Sequence, residues 1–257
     1  MLKKQVQRVK VLALLLFVWP VSVHAKPQLI KLASLDWPPY TGYLLEQQGE
    51  TTMLLRQVFS AMGMELQTEF YPWSRAIRAS GKPDSIYAGY FPEYQTHNPG
   101  FILSDSVGVS ELGFVEAKAK PLGRLSFIRL PRLRLGVVQD YVNLTEVDQM
   151  IGRGQLTPEL AFSDRQNILK VALGRLDLAV VDRRVLMYLL QHDNEVKRLA
   201  EGKVHFNDSL TELKTLHLAL RLDADNLQLM TEFNQQLQKV KDTQTKILSL
   251  TTKSQEY

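Results

Sequence analysis

The sequence predicts an α/β protein built from two similar lobes that follow one another along the chain. Strand-like and helix-like patterns alternate from Leu29 to Gly89, which is typical of a right-handed parallel sheet. A second alternation of the same kind begins at Leu133. After Asp225, a long helix with one apolar face closes the chain, and we expect it to pack against one of the lobes.

In the first alternation, apolar runs and two-residue alternation predict strands, whereas apolar residues three and four positions apart predict helices. The predicted elements are a strand at Leu29–Ala33, a helix capped by Thr51 or Thr52 and ended by Gly63, a strand at Glu65–Tyr71, a helix at Ser74–Ser80 and a strand at Asp84–Gly89. From Phe91 to Gly108, prolines and a glycine break the periodicity, which predicts a loop.

The second alternation follows a short apolar run, Leu112–Val115, and a polar connector, Lys118–Gly123. The same periodicities assign its elements. The predicted strands are Leu133–Val138, Leu160–Phe162 and Leu178–Val181, and the predicted helices are Thr145–Ile151, Asp164–Leu173 and Arg183–Gln191. A further strand is expected at Leu216–Leu220, and Asp225 is expected to cap the closing helix.

The stretch from Leu35 to Tyr40 ends the first strand. Pro38 and Pro39 cannot continue a sheet ladder, because each lacks an N–H group and has a fixed φ. Trp37 and Tyr40 are therefore expected on a stiff loop at the carboxyl end of a strand, where α/β proteins bind ligands. A surface turn whose aromatic rings cover the core fits the same residues, so two interpretations are open.

Residues 1–25 have the three parts of a cleavable signal peptide. Cations precede an apolar run, Val11–Trp19, that is too short to span a bilayer, and Val23 and Ala25 fit a cleavage site before Lys26. This leader carries four of the 31 cations and none of the 27 anions, so the remaining chain has 27 of each. The basic pI of about 9.1 therefore gives no support for nucleic-acid or anionic-membrane binding.

The chain contains no cysteine, which excludes both disulfides and a lipid anchor on cysteine. An exported fold without disulfides must be stabilised by its own core. The five histidines are scattered and predict no metal site, and neither a nucleophile elbow nor a complete dinucleotide-binding loop is present. We expect an exported, periplasmic monomer without a cofactor.

Several short motifs, in this order and at this spacing, resemble those of the bacterial extracellular solute-binding proteins of family 3. The motifs are Trp37–Tyr40, Tyr71–Ala76 with Gly81 and Asp84, Phe101–Asp105, Leu135–Gln139, Gly174–Asp177 and Val181–Asp182. Together they cover essentially the whole chain after the leader. The resemblance implies the type II binding-protein fold, a two-lobed clamshell with two hinge crossovers, as in periplasmic receptors for polar amino acids.

The resemblance also implies where the lobes begin and end. Lobe 1 is expected to comprise residues 26–113 and 210–257, and lobe 2 residues 114–209. Two crossover strands form the hinge of such a protein, and the ligand binds between the lobes, where closure buries it.

Seven residues are implied as ligand contacts. Trp37 and Trp73 present indole faces that suit apolar stems and cations, although Trp73 is also compatible with a place in the core. Asp182 matches the acidic residue that receives an ammonium group, although an aspartate before a helix is also a preferred N-cap. The remaining candidates are Tyr40, Arg75, Tyr90 and Tyr141.

The chain departs from the family where an arginine usually binds the carboxylate of the ligand. The corresponding turn is Tyr90–Thr96, and no lysine or arginine occurs between Lys82 and Lys118. Three alternatives remain open: Arg75 supplies the charge, helix N-terminal amides near Tyr141–Thr145 bind the anion, or the ligand has no α-carboxylate. Arg75 also fits an ordinary solvated helix position.

These observations favour a binding protein over an enzyme. The expected function is periplasmic binding of a small polar solute, amino-acid-like or cationic, for delivery to an inner-membrane ABC importer. A ligand-sensing domain that signals to a membrane sensor is the main alternative. A dehydratase-like enzyme on the same fold is a third, for which Glu93 and Asp182 are the available acids.

Overall fold

The computed structural model describes residues 27–96 and 98–253, with side chains described up to residue 247. The predicted signal peptide, residues 1–25, lies outside the described residues. The strands are β1 (Gln28–Ser34), β2 (Met64–Phe70), β3 (Gly89–Tyr94), β4 (Phe101–Leu103), β5 (Gly108–Ala117), β6 (Leu135–Val138), β7 (Glu159–Ala161), β8 (Leu178–Asp182) and β9 (Val204–Arg221). The α-helices are α1 (Glu50–Ala61), α2 (Trp73–Ser80), α3 (Thr145–Gly152), α4 (Asp164–Ala172), α5 (Arg183–His192), α6 (Asn194–Ala200) and α7 (Ala224–Lys253).

The strands form one mixed sheet in the order β2-β1-β3-β9-β5-β8-β6-β7, with β4 paired to β9. At one end β1 pairs in parallel with β2 and β3, and at the other β6 pairs in parallel with β7 and β8. The long antiparallel pair β5–β9 joins these two parallel halves. The predicted α/β class with two parallel units is therefore confirmed.

The strands β5 and β9 run through the places where the sequence predicts the lobe boundaries. β5 contains positions 113 and 114, and β9 contains positions 209 and 210. Their pairing register shifts between Leu112 and Phe114, next to Gly113. A β-bulge of this kind bends a strand locally and increases its twist. The two strands at which crossovers between the lobes are expected are thus hydrogen-bonded to each other, with an irregularity at Gly113.

The predicted strand at Asp84–Gly89 is wrong, because the third strand runs instead from Gly89 to Tyr94. Pro92 within this segment led to the prediction of a loop. The pairing of β3 with β9 shifts between Tyr90 and Glu93, so Pro92 lies in an irregularity where no ladder donor is needed. All six residues of β3 are buried.

Two predicted helix caps are also wrong. Helix α1 begins after Gly49, and Thr51 and Thr52 are buried inside its first turn. At α7 the carboxylate of Asp223 accepts the Asn226 N–H at 2.8 Å, so the cap lies two residues before the predicted Asp225. Helix α6 was not predicted, because it follows α5 without a glycine or proline between them.

The main hydrophobic core continues across the predicted division between the lobes. It contains Leu32, Phe59 and Phe233 from one half together with Leu135 and Val185 from the other. A second, smaller cluster lies under α4 and α6 and includes Ile168, Val196 and Val204. Apolar side chains from both halves are therefore buried in one contiguous cluster. Within the described residues, no helix is both long enough and apolar enough to cross a lipid bilayer.

Candidate functional site

The loop after β1 holds Trp37 and Tyr40 in a tight turn. The Tyr40 and Thr41 N–H groups both donate to the Trp37 carbonyl at 3.1 Å, and the Trp37 N–H donates to the Thr41 carbonyl at 2.8 Å. The two rings stack with centroids 4.5 Å apart and an interplanar angle of 23°. Both side chains are buried. The loop therefore presents its aromatic rings to the interior, towards residues of the second half of the chain.

Asp182 ends β8 and is fully engaged with neighbouring donors. One carboxylate oxygen accepts the Val185 N–H at 2.8 Å, which makes Asp182 the N-cap of α5. The other accepts the Tyr40 hydroxyl at 3.0 Å and the Ser110 hydroxyl at 2.6 Å. Burial raises the pKa of Asp182, and these hydrogen bonds oppose that shift. The aspartate thus caps a helix and links the loop after β1 to lobe 2.

A small cavity of about 30 Å³ lies between the two halves of the molecule. Its lining includes residues from both predicted lobes: Leu35, Trp37, Trp73, Pro92, Glu93, Tyr94, Tyr141, Val142 and Leu216. The edge of Trp73 meets Tyr141 with ring centroids 6.3 Å apart. A volume of this size holds a water molecule or two, but not an amino acid. In this conformation the two halves are closed on each other.

Two further carboxylates at this site are buried and carry strongly shifted pKa values. Burial raises the pKa of Glu93 to about 7, although the Tyr90 hydroxyl and the Tyr94 N–H both donate to it. Burial also raises the pKa of Asp164 to about 7, and the nearby charge of Asp182 adds to the shift. Of the three buried carboxylates, Glu93 lines the cavity, Asp164 lies in the groove on the other side of Trp37, and Asp182 binds Tyr40. The lining of the cavity contains no lysine or arginine.

The indole of Trp37 connects Asp164 to the aromatic lining. Its Nε1 is buried and has no hydrogen-bond partner among the residues described. The approach of this N–H to the Asp164 carboxylate nevertheless opposes part of the rise in the pKa of that group. Trp37 and Asp164 also line a wider groove of about 700 Å³ beside Tyr43 and Tyr188. Asp164 can thus be reached from the side of the closed cleft.

Of the seven predicted contacts, Trp37, Trp73 and Tyr141 line the cavity, and Asp182 and Tyr40 meet beside it. Tyr90 does not line the cavity but lies behind Glu93 and Trp73. Its hydroxyl donates to Glu93, and the centroid of its ring lies 5.3 Å from that of Trp73. Arg75 is exposed, with its guanidinium 4.8 Å from the centre of the Tyr71 ring. It does not line the cavity.

The helix N-terminal amides that were considered for an anion already have carboxylate partners. The Thr145 N–H donates to Glu212 at 2.7 Å, and the Asn143 N–H donates to Asp148 at 2.8 Å. An incoming carboxylate would have to displace one of these side chains. This arrangement weakens the second of the three alternatives for binding a ligand carboxylate.

Sequence reasoning missed Asp164 and Tyr94 as site residues. The sequence predicts Asp164 only as the start of a helix, yet it lies three residues after the end of the parallel strand β7, at the edge where α/β folds place ligands. Tyr94 was hidden by the wrong loop prediction for β3. No group of three or more metal-binding side chains is found in the part of the chain that the structure describes.

Comparisons with known proteins give a fold but no sequence family. No family model matches the chain, and no curated protein matches it. Among solved structures, a histidine kinase sensor domain with similarity to periplasmic binding proteins aligns at 17% identity and a TM-score of 0.71. That alignment covers 86% of this chain and 93% of the sensor domain.

Two ligand-binding proteins align over similar lengths. The GluR0 ligand-binding core from Nostoc punctiforme, in complex with L-glutamate, aligns at 17% identity and a TM-score of 0.65, covering 84% of this chain and 94% of that core. A periplasmic binding protein of an arginine transport system from Legionella pneumophila aligns at 12% identity and a TM-score of 0.66, covering 88% and 99% of the two chains. This chain therefore has the two-lobed α/β fold of periplasmic binding proteins, as its sequence motifs imply.

Proposed function

We propose that this chain binds a small, positively charged polar solute between its two lobes. The observation that carries the proposal is the charge of the site. Glu93 lines a cavity without a lining lysine or arginine, and the buried carboxylates of Asp164 and Asp182 lie beside Trp37 and Tyr40. Buried carboxylates are costly unless a positive charge or hydrogen bonds compensate them. A cationic solute supplies that charge, and the faces of Trp37 and Trp73 favour it further.

Binding requires the lobes to open, because the cavity is too small for an amino acid or amine in the closed form. Opening separates Trp73 from Tyr141 and breaks the hydrogen bond from the Ser74 hydroxyl to Asp140. It also breaks the ion pair between Arg184 and Glu50, whose atoms are 2.5 Å apart. A solute that replaces these contacts when the lobes close again shifts the population towards the closed form.

For the protein as a whole, we propose a periplasmic location after removal of the leader, and delivery of the solute to an inner-membrane ABC importer. The Legionella protein of similar fold belongs to an arginine transport system, which agrees with this role. The histidine kinase sensor domain favours the alternative, in which closure is read by a membrane sensor. Genes for a permease and an ATPase beside this gene favour transport, and a gene for a kinase or cyclase favours sensing.

The dehydratase alternative needs an anionic substrate in the cleft. Glu93, with a pKa of about 7, has the property expected of a general acid or base. However, when they are ionised, Glu93 in the cavity and Asp164 and Asp182 beside it repel an acid such as a prephenate-like dicarboxylate, and no lysine or arginine lines the cavity to hold it. The charge of the site therefore favours binding of a cation over this reaction.

A melting-temperature screen of the purified protein tests the proposal. Arginine, lysine, linear diamines, dicarboxylic acids and neutral sugars are compared at equal concentration. A cation at about a hundred times its dissociation constant stabilises the folded state by about 2.7 kcal/mol, which raises the melting temperature measurably. Stabilisation by dicarboxylic acids or sugars, and not by any cation, would contradict the proposal.

A further inference from the structure

The three carboxylates of the site differ in how far the protein itself satisfies them. Asp182 accepts three hydrogen bonds, from Val185, Ser110 and Tyr40. Glu93 accepts two, from the Tyr90 hydroxyl and the Tyr94 N–H. Asp164 is only 6% exposed, its own backbone N–H and the Trp37 indole are the donors that lower its pKa, and no ion pair joins it to any residue described here. Asp164 is thus less compensated than Asp182.

Three cations beside the site already have acidic partners. Lys214, which lies 6.0 Å from the centre of the Tyr94 ring, binds Glu212 at 2.8 Å. Arg184, beside Asp182, pairs with Glu50 and lies 5.0 Å from the centre of the Tyr40 ring. Arg165, next to Asp164 in the chain, binds Asp193 at 2.9 Å and also contacts Glu195. No cation contributes to the shifted pKa of either Glu93 or Asp164. Where Glu93 and Asp164 are ionised, the site therefore carries negative charge that these cations do not neutralise.

A metal ion is a poor match for this excess charge. The described part of the chain contains no group of three acidic or histidine side chains close enough together to hold a metal ion. The cavity beside Glu93 is lined by Trp37, Trp73 and Tyr141, whose ring faces favour organic cations over strongly hydrated ions. Trp37 also lines the groove that holds Asp164, so Glu93 and Asp164 lie on two sides of an aromatic ring and suit positive charges that are separated by an apolar stem.

A carboxylate on the solute would add a fourth anion to the site. Its recognition needs a guanidinium or free backbone amides. Arg75 is exposed above Tyr71, away from the cavity. The amides of Asn143 and Thr145 are bound to Asp148 and Glu212. Neither Arg75 nor these backbone amides are therefore suited to bind an amino-acid carboxylate in this conformation.

We propose that the solute is an organic dication without a carboxylate, of the linear diamine class, and that Asp164 binds its second ammonium group. This inference rests on the proposed function and narrows it to one class of solute. The unpartnered Nε1 of Trp37 is an independent sign that the contact between Trp37 and Asp164 is incomplete in the closed form. The groove beside Tyr43 and Tyr188 gives a diamine access to Asp164.

Isothermal titration calorimetry at pH 8, where Glu93 and Asp164 are ionised, tests the class of solute. Linear diamines of three to six carbons are compared with 1-aminopentane, which lacks one charge, and with lysine, which is 1,5-diaminopentane carrying a carboxylate. We expect the best diamine to bind at least tenfold more tightly than either reference compound. Tighter binding of lysine would overturn this inference and leave the proposed function standing. Binding of none of these cations would overturn both.

The role of Asp164 is tested with Asp164→Asn, which keeps the shape of the side chain and removes its charge. We expect at least a tenfold loss of affinity for the diamine and little change for 1-aminopentane, because only the second ammonium loses its partner. Glu159→Gln is the control, since it removes one exposed charge from the same half of the molecule. Equal losses for both amines, or no loss, would contradict the assignment of Asp164.

Discussion

The hydroxyl of Tyr40 donates to the carboxylate of Asp182 at 3.0 Å, although 142 positions separate the two residues in the chain. Both were predicted as separate ligand contacts, and in the closed molecule each is the other's partner. The same carboxylate oxygen accepts the Ser110 hydroxyl, which in turn contacts the Tyr94 hydroxyl at 2.8 Å. A chain of hydroxyl groups thus joins the loop after β1 to the crossover strand β5 and to β8.

Tyr40→Phe removes one donor from Asp182 without changing the stacked ring. We expect the free energy of unfolding to fall by about 1–2 kcal/mol, because a buried carboxylate loses a hydrogen bond. Urea denaturation of the variant measures this loss. Tyr43→Phe is the control, since Tyr43 is 68% exposed and its hydroxyl has no such partner in the structure described. Equal stability of the two variants would contradict the importance of this hydrogen bond.

Asp182→Asn tests the negative charge of Asp182 apart from its role as the N-cap of α5. Asparagine is as good an N-cap as aspartate, so helix α5 and the circular dichroism spectrum are expected to remain unchanged. The affinity for a cationic solute is expected to fall by about 2–5 kcal/mol, as when a buried charge pair loses one partner. Calorimetry with the strongest cation from the screen measures the effect. Unchanged affinity would return Asp182 to the role of helix cap alone.

Replacement of Trp73 tests the aromatic lining. Because Trp73 is buried, Trp73→Ala is expected to cost about 3–5 kcal/mol of stability as well as binding of the solute. Trp73→Leu keeps more of the apolar volume and isolates the loss of the ring. We expect both variants to lose cation binding by calorimetry, and the same from Trp37→Ala. Phe162→Ala, at a ring that is 75% exposed, is the control. Normal binding by the Trp37 and Trp73 variants would show that the cleft is assigned wrongly.

The sequence predicts those features of the fold and of the site that depend on residues close together in the chain. Periodicity located α4, α5 and β8 to within a residue or two, because each element buries its own apolar face. It failed at Pro92, where pairing with the distant strand β9 overrides the local breaker. The pairing of Tyr40 with Asp182 and the burial of Asp164 depend on closure of the two halves, which no local pattern encodes.

Gly113 lies at the irregularity of the crossover strands and is expected to tolerate no side chain. A Cβ atom there would lie 2.3 Å from the Phe206 ring, which is held under the Arg183 guanidinium at 4.0 Å. Gly113→Ala is therefore expected to lower the free energy of unfolding by about 1–3 kcal/mol, as overpacking does. Gly152→Ala, where nothing lies within 4 Å, is the control and is expected to be neutral. Equal effects of the two changes in urea denaturation would contradict this account.

Glu93 gives the free energy of unfolding a specific pH dependence. Burial raises the pKa of Glu93 from its usual 4.5 to about 7 in the folded protein. The folded state therefore binds this proton more tightly than the unfolded state does, and its stabilising effect is lost as the pH rises from about 4.5 to about 7. Glu93→Gln cannot ionise and does not suffer this loss. We expect the variant to match the parent near pH 4 and to be more stable at pH 8 by up to about 3 kcal/mol.

Urea denaturation at pH 4, 6 and 8 measures the difference in free energy of unfolding between Glu93→Gln and the parent. Titration of Asp164 affects both proteins equally and cancels in this difference. Glu69→Gln is the matched control, for which the opposite pH dependence is expected. The hydroxyls of Tyr87 and Tyr71 donate to Glu69 and hold its pKa below 4.5. Its contribution is therefore present at neutral pH and is lost on acidification, so Glu69→Gln is expected to be less stable than the parent at pH 8 and to approach it at low pH. A stability difference for Glu93→Gln that stays constant from pH 4 to pH 8 would show that Glu93 ionises in the folded protein as it does in water.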